Sequence, residues 1–248
     1  TRYDNSQTVE NEQTGNKNLS DSAKGGHARS RITSSSASER TVMDFIIENV
    51  SKCSEYGDDD VHLNTIQVLL TAITSTSCEV HEATLLLAIQ ACFHIHLISK
   101  NQINKLTAKA ALIQMVSSVN AKMELCDKMF SVDEKSTEVL NTTSKDSFLV
   151  FRALCKLSMK GLYDDSDLMH ASKNQSPGTE IDVNSVAIQN KTLSLELILH
   201  IMQNAGPIFR SGDKNIEVIK KYLCISLLGN CSSQIAQVAK LSLNIFVA

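Results

Sequence analysis

From Val42 onwards, apolar residues return at every third or fourth position in stretch after stretch, and none of these stretches alternates as a strand does. That period commits the chain to helices. Only Pro177 and Pro207 interrupt the 248 residues, there is no tryptophan, and aromatic residues make up 4%. Several stretches are apolar over more than half of a helix circumference, and such a helix has to be sandwiched between neighbours on two sides. Stacked antiparallel pairs meet that demand. The expected fold is therefore all-α, an armadillo- or HEAT-like right-handed α-solenoid of antiparallel helix pairs, with a compact bundle as the competing architecture. No strict sequence period marks repeats, so the expectation rests on helix pairing.

Residues 1 to 37 are rich in Ser, Thr, Asn, Gln and Gly and carry almost no large apolar side chains. They bury too little surface to offset ordering entropy and are expected to form a disordered tail. Order is expected from Ser38. A first helical stripe is Val42, Phe45, Ile46 and Val50. Asp58, Asp59 and Asp60 open a second helix, where their charge complements the N-terminal dipole, and its stripe is Leu63, Ile66, Leu70 and Ile73. The third carries Leu85, Leu86, Ile89, Phe93 and Leu97; after a corner at Ser99 to Asn104 the fourth carries Leu112, Met115, Val119 and Met123. Apolar density falls over 125–145, which reads as a linker between an ordered region at 38–124 and a second at 146–248. A fifth helix is expected from Asp146 to Met159, a loop over 161–181, and long apolar helices at 183–204, 213–228 and 233–247. At the corner between the first two of these, Gly206 is expected to allow the backbone reversal of a helix end, and Pro207 stops the helix from continuing. Beyond it, Ile216, Ile219 and Leu223 fall on one stripe.

The formal net charge is −3, which disfavours a nucleic-acid role because no cationic surplus meets a phosphate backbone. The most apolar run, Ala83 to Ser99, contains His94 and His96 and is shorter than the ~18 residues of a membrane span. The first residues carry no apolar signal-peptide core and do not begin with Met, so the chain reads as a piece of a longer protein. The seven cysteines are odd in number and irregularly spaced, which suits reduced, buried thiols rather than a disulfide framework. Cys92 and His96, at i and i+4, are better placed than His94 and His96 to share one metal, but no further ligand pair lies nearby at tetrahedral-site spacing. No nucleophile–base constellation or glycine-rich phosphate loop can be assembled. No catalytic residue, cofactor or metal is expected.

Two basic features remain as candidate partner-binding residues. At the Lys100 to Lys109 corner, Asn101, Asn104 and Thr107 can cap a helix and tie down a turn. The functional alternative is a partner-facing loop presenting Lys100, Asn101, Asn104, Lys105 and Lys109. In the fifth helix, Arg152, Lys156 and Lys160 recur at four-residue spacing along one face. That face is either simply solvated or docks onto an acidic surface.

Phrases in order along the chain carry a family resemblance. They are Ile66 to Ser75 (IQVLLTAITS), Glu79 to Leu85 (EVHEATL), Ser99 to Asn104 with Thr107 to Ala110, Asp146 to Lys160 (DSFLVFRALCKLSMK), and the Gly206–Pro207 corner with Lys220 to Leu227. Together they resemble the segment upstream of the exchange domain in the large brefeldin-A-inhibited guanine-nucleotide exchange factors for Arf GTPases. In that family a dimerization and cyclophilin-binding (DCB) region precedes a homology-upstream (HUS) region. The resemblance covers 41–124 and 146–248. It implies a non-catalytic regulatory and docking module, recruited from cytosol to trans-Golgi or endosomal membranes in vesicle trafficking. It also implies self-association, contacts with other regions of the parent exchange factor, and a regulatory relation to Arf-family GTPases. The chain departs from the family in its short 125–145 segment, in Gly161 and Leu162 where proline is usual, and in lacking the glutamate finger of an exchange domain. An armadillo-like peptide-binding adaptor of an unrelated pathway is the alternative reading.

Overall fold

The computed structural model describes residues 40–129, 134–160 and 183–248, all within one unit that begins at Arg40. Among these residues every regular element is helical. The expected tail at 1–37 and the loop at 161–181 lie outside the described residues.

Helix α1 (Val42–Lys52) starts with a capping box: Asp44 N donates to Thr41 Oγ1 at 3.2 Å, and Thr41 N donates to an Asp44 carboxylate oxygen at 2.8 Å. Helix α2 (Asp59–Thr74) is capped by Asp58, which accepts from Asp60 N and Val61 N at 3.0 and 2.9 Å. Helices α3 (Glu82–Ile98) and α4 (Gln102–Met129) are joined by residues 99–101 and pack on each other, so they run antiparallel. Leu85, Ala88, Ala91, Cys92 and Ile95 of α3 form one buried side, and Ile89 and Phe93 extend the burial around the helix beyond half of its circumference. Accordingly α3 packs against α1, α2 and α4 and also against the later helices α5 (Glu134–Met159) and α6 (Val183–Gln203).

The 28-residue α4 is the centre of the assembly. One face carries Asn104, Ala108, Ala111, Met115 and Lys122 and meets α2; Lys122 Nζ donates to Ile73 O at 2.7 Å and Ser75 O at 3.1 Å. The other face meets α5 and α6: Ser147 Oγ donates to Asn120 Oδ1 at 2.7 Å, and Ser117 Oγ lies 2.7 Å from His200 Nε2. No described helix is long and apolar enough to cross a membrane.

Three expectations need correction. The first is the 125–145 linker: α4 runs on to Met129 and α5 begins at Glu134, so only 130–133 fall outside described helix. Over 139–145 polar residues take the solvent side, as with the exposed Asn141 and Lys145 beside the half-buried Leu140. Asp146 therefore does not open α5. It sits in its interior, 5% exposed, and caps a different helix: Oδ1 accepts from Glu82 N at 2.7 Å, and Oδ2 lies 2.6 Å from His81 Nδ1. Glu82 has φ 49° here, a left-handed conformation at a non-glycine residue held by that carboxylate.

The second concerns α1. Val42, Phe45 and Ile46 are 75%, 49% and 43% exposed, whereas Ile47 is fully buried with Ser51 and Ser54. The core uses the face one residue along from the expected stripe, and the Arg40 guanidinium covers the Phe45 ring at 5.5 Å.

The third concerns Gly206. Its φ of −83° and ψ of −179° are extended backbone open to any residue, so no reversal depends on glycine. What glycine provides is space for the Glu124 side chain. A Cβ there would fall within the Glu124 carboxylate, 2.6 Å from Oε1. Glu124 reaches from α4 to the start of α7 (Pro207–Ser211) and accepts from Phe209 N at 2.9 Å and Ile208 N at 3.3 Å. Pro207 at the first helical position loses no hydrogen bond. The turn drives Phe209 edge-on into Phe151 of α5, with ring centroids 5.0 Å apart. The chain then continues through α8 (Asp213–Val218), a π-turn (Ile219–Leu223), α9 (Cys224–Cys231) and α10 (Ala236–Val247), with α10 packed on α6.

Leu197 on α6 is fully buried. Leu197→Ala is expected to cost about 2–5 kcal/mol, read as a lowered denaturation midpoint. The His81–Asp146 pair carries a pH signature. The hydrogen bond and charge of Asp146 raise the His81 pKa above its usual value of 6.5 against the opposing effect of burial, with Glu79 adding to the rise and Lys122 opposing it. Stability from this pair is full below the unfolded value and is lost as pH climbs through the raised folded value. The melting-temperature gap between the native chain and His81→Gln should thus be widest near pH ~6 and shrink towards pH ~8. A gap that does not change with pH would contradict this.

Candidate partner-binding surface

The two basic features flagged by the sequence have different fates. At the 99–104 corner, Asn101 Oδ1 accepts from Ile103 N at 2.9 Å and so caps α4. Its Nδ2 donates to Asp59 Oδ2 at 3.1 Å, and Asn104 Nδ2 donates to Asp59 O at 2.8 Å. Both amides thus tie the start of α4 to the start of α2, and Asn104 is only 2% exposed. Lys105 lends its carbonyl to His96 Nδ1 at 2.9 Å. Lys109 pairs with Glu196 of α6 at 2.6 Å. Of the five residues expected to face a partner there, Lys100 alone is exposed. The amides and Lys109 are directed inward because a three-residue turn between packed helices needs fixing from both sides.

The α5 face differs. Arg152 Cζ lies 5.8 Å and Lys156 Nζ 5.6 Å from the ring centroid of Tyr222, and Lys221 Nζ lies 5.8 Å from the same centroid. Three cations from two chain segments therefore converge on one half-buried ring, with exposed Lys160 just past the end of α5. Among the described residues none of Arg152, Lys156, Lys160, Lys220 and Lys221 has a carboxylate within ion-pair distance. The ring quadrupole offsets about 0.5–1 kcal/mol per exposed cation. It does not neutralise them. The ring anchors a patch that attracts carboxylate or phosphate oxygens.

The π-turn builds this patch. Along α8, the π-turn and α9 the buried residues are Asn215, Val218, Leu223, Ser226, Leu227 and Asn230. The interval of five between Val218 and Leu223 is the inserted residue of a π-turn. A regular helix with the expected Ile216–Ile219–Leu223 stripe would have another phase; Ile216 and Ile219 are in fact only half-buried, and polar Asn215 takes a core position with Nδ2 donating to Phe209 O at 3.3 Å. The shift lays Tyr222 towards α5 and leaves Lys220 and Lys221 exposed. Spacing within α5 revealed Arg152, Lys156 and Lys160. Lys221 and Tyr222 were missed because a π-turn has no sequence period to announce it.

Burial pushes the Cys92 thiol up to about 12 and raises the Cys155 thiol as well, so neither supplies a thiolate near neutral pH. No group of three or more His, Cys, Asp and Glu side chains able to hold a metal gathers among the described residues; fully buried Cys92 and the occupied His96 do not form one.

Comparison with known proteins adds to this geometry. Residues 28–127 match the family model for the dimerisation and cyclophilin-binding domain of Mon2/Sec7/BIG1-like proteins, and 143–248 match the HUS domain model of the same proteins. Brefeldin A-inhibited guanine nucleotide-exchange protein 2 of Arabidopsis thaliana is 25% identical, across 90% of this chain and 18% of its own length. Brefeldin A-inhibited guanine nucleotide-exchange protein 1 of Homo sapiens is 47% identical over 42% of this chain and 5% of its own length. The ADP-ribosylation factor guanine nucleotide-exchange factor sec71 of Schizosaccharomyces pombe is 24% identical over 84% of this chain and 14% of its own length. The chain thus spans less than a fifth of the length of these relatives.

The capping carboxylate and the basic patch should respond oppositely to mutation. Gly206→Ala displaces Glu124 from two amide donors and is expected to cost about 1–3 kcal/mol in chemical denaturation. Replacing Lys156 and Lys221 together by Gln removes like-charge repulsion and should leave stability within about 0.5 kcal/mol of the native chain or raise it.

Proposed function

We propose that this chain, which belongs to the Mon2/Sec7/BIG1-like family and carries its DCB and HUS regions, is a non-catalytic regulatory and docking region of a large Arf guanine-nucleotide exchange factor. It acts through protein–protein contacts in membrane recruitment, self-association and control of the exchange domain, in Golgi and endosomal vesicle trafficking. Its partners are other regions of the parent factor, a second copy of itself and, through regulation, Arf-family GTPases. Its place in the cell is the cytoplasm and, peripherally, trans-Golgi and endosomal membranes. The helices stack as an armadillo/HEAT-like right-handed solenoid in which 38–124 and 146–248 remain separate functional regions on one continuous body.

The observation that carries this reading is the Tyr222-centred patch. It lies in the HUS region, is built by α5 and the π-turn, and has three cations with no counter-ion among the described residues. A cluster of that kind favours an acidic macromolecular surface, and its rigid mounting on packed helices suits a docking element. Ligands that prefer one arrangement of the parent protein would shift the population of active enzyme.

The test is affinity capture from cell extract with the native chain and with Arg152→Glu/Lys156→Glu/Lys221→Glu. The native chain is expected to retain segments of the exchange factor or Arf-family GTPases, and the variant to lose them with its circular dichroism unchanged. Undiminished capture by a folded variant would remove the patch from the docking role.

A further inference from the structure

The basic patch continues into a groove of about 880 Å³ between α1, α3, α5 and α6. Lys156 belongs to both, since it lies over the Tyr222 ring and also lines the groove beside Lys160. The geometry points to a binding site for an amphipathic helical peptide, its apolar anchors in the groove and its acidic flank along the α5 edge.

The walls set the length of the occupant. On α3 the lining runs from Leu86 through Phe93 to Leu97, and on α5 from Val150 through Leu154 to Leu157. Leu86 to Leu97 spans about 16 Å of helix, or about three turns. That length admits anchors at i, i+4 and i+7, the spacing by which an amphipathic helix fills an apolar groove. Small Ala91 and Ala153 give the trough its depth.

The rims set the charge. On the α1 side Glu48 and Glu55 alternate with Lys52, and Glu48 is compensated by Arg40 at 3.6 Å. On the α5 side Lys156 and Lys160 have no ion-pair partner among the described residues and lead to Arg152 and Lys221. Field complementarity therefore places acidic side chains on one flank of the occupant.

The polar atoms of the lining favour a peptide over a hydrocarbon chain. Ser51, 6% exposed, and Asn190 both line the groove with a side-chain oxygen that has no hydrogen-bond partner. A buried oxygen of that kind is costly beside an acyl tail, whereas a peptide brings donors and acceptors.

The test uses the full chain and labelled peptides of about four turns, followed by fluorescence anisotropy. One peptide has leucines at i, i+4 and i+7 and glutamates on one flank; its twin has lysines on that flank. The acidic peptide should bind at least about tenfold tighter than the basic one. Lys156→Glu/Lys160→Glu should reverse that order, and Ala153→Phe, which fills the trough, should abolish binding of both. Charge reversal at these exposed lysines leaves the fold intact, so the outcome stands even where Ala153→Phe unfolds the chain. Equal affinity for the two peptides overturns the assignment. So does binding confined to phosphatidylcholine–phosphatidylserine vesicles, or a dimer in sedimentation that Ala153→Phe dissolves without any peptide binding. The readout concerns the isolated chain and holds whichever partners it recruits in an exchange factor.

Discussion

A helix that buries both of its long faces dictates where its neighbours stand, and α4 is such a helix. Its Asn104–Ala108–Ala111–Met115 side is filled by α2, and its Ser117–Asn120–Glu124 side by α5, α6 and the start of α7. Because interiors are close-packed, neither flank can shift without opening voids in the other. The second widely buried helix, α3, is fixed in turn by its antiparallel contact with α4. The groove along α3 and the basic edge of α5 take their positions from this arrangement.

Acidic side chains make a disproportionate share of the ties between helices. Asp44 accepts from Thr84 Oγ1 at 2.6 Å, a bond that, with its Thr41 contacts, holds its carboxyl below the usual value. Asp59 holds Asn101 before α4 and Asn104 within it, Glu124 caps α7, and Asp146 caps α3. Glu124 and Asp146 satisfy backbone donors that a helix start leaves without partners, and Asp44 and Asp59 take side-chain donors from neighbouring helices and turns. The basic groups are used less evenly: Lys109 and Lys122 serve the interior, while the α5 and π-turn cations do not. A chain with a net charge of −3 thereby presents a positive face.

Helix existence was legible wherever one periodic stripe coincided with the core, as in Leu112, Met115, Val119 and Met123, all buried. Legibility failed where the core choice depended on partners distant in sequence. Ile47 and Phe45 are equally apolar neighbours, and only the packing of α3 decides that Ile47 goes inside. Polar composition around residues 139–145 hid a stretch of helix whose burial is partial. At the site, Arg152, Lys156 and Lys160 were readable from their spacing within one helix. Tyr222 and Lys221 were not, since their approach depends on an extra residue in a turn 70 positions away from Arg152. Gly206 was rightly singled out, but for the wrong cause: its partner, Glu124, lies more than 80 residues earlier.

The shared flanks of α4 have a practical corollary for dissecting the molecule. The border between the two family regions, at 127 and 143, runs through a packed seam and not through a tether. Scissors placed there would strip α4 of half its lining and leave α3 without the carboxylate of Asp146 at its head. The pieces would be sticky remnants rather than miniature modules, and behaviour assigned to one region in isolation would report on a torn surface.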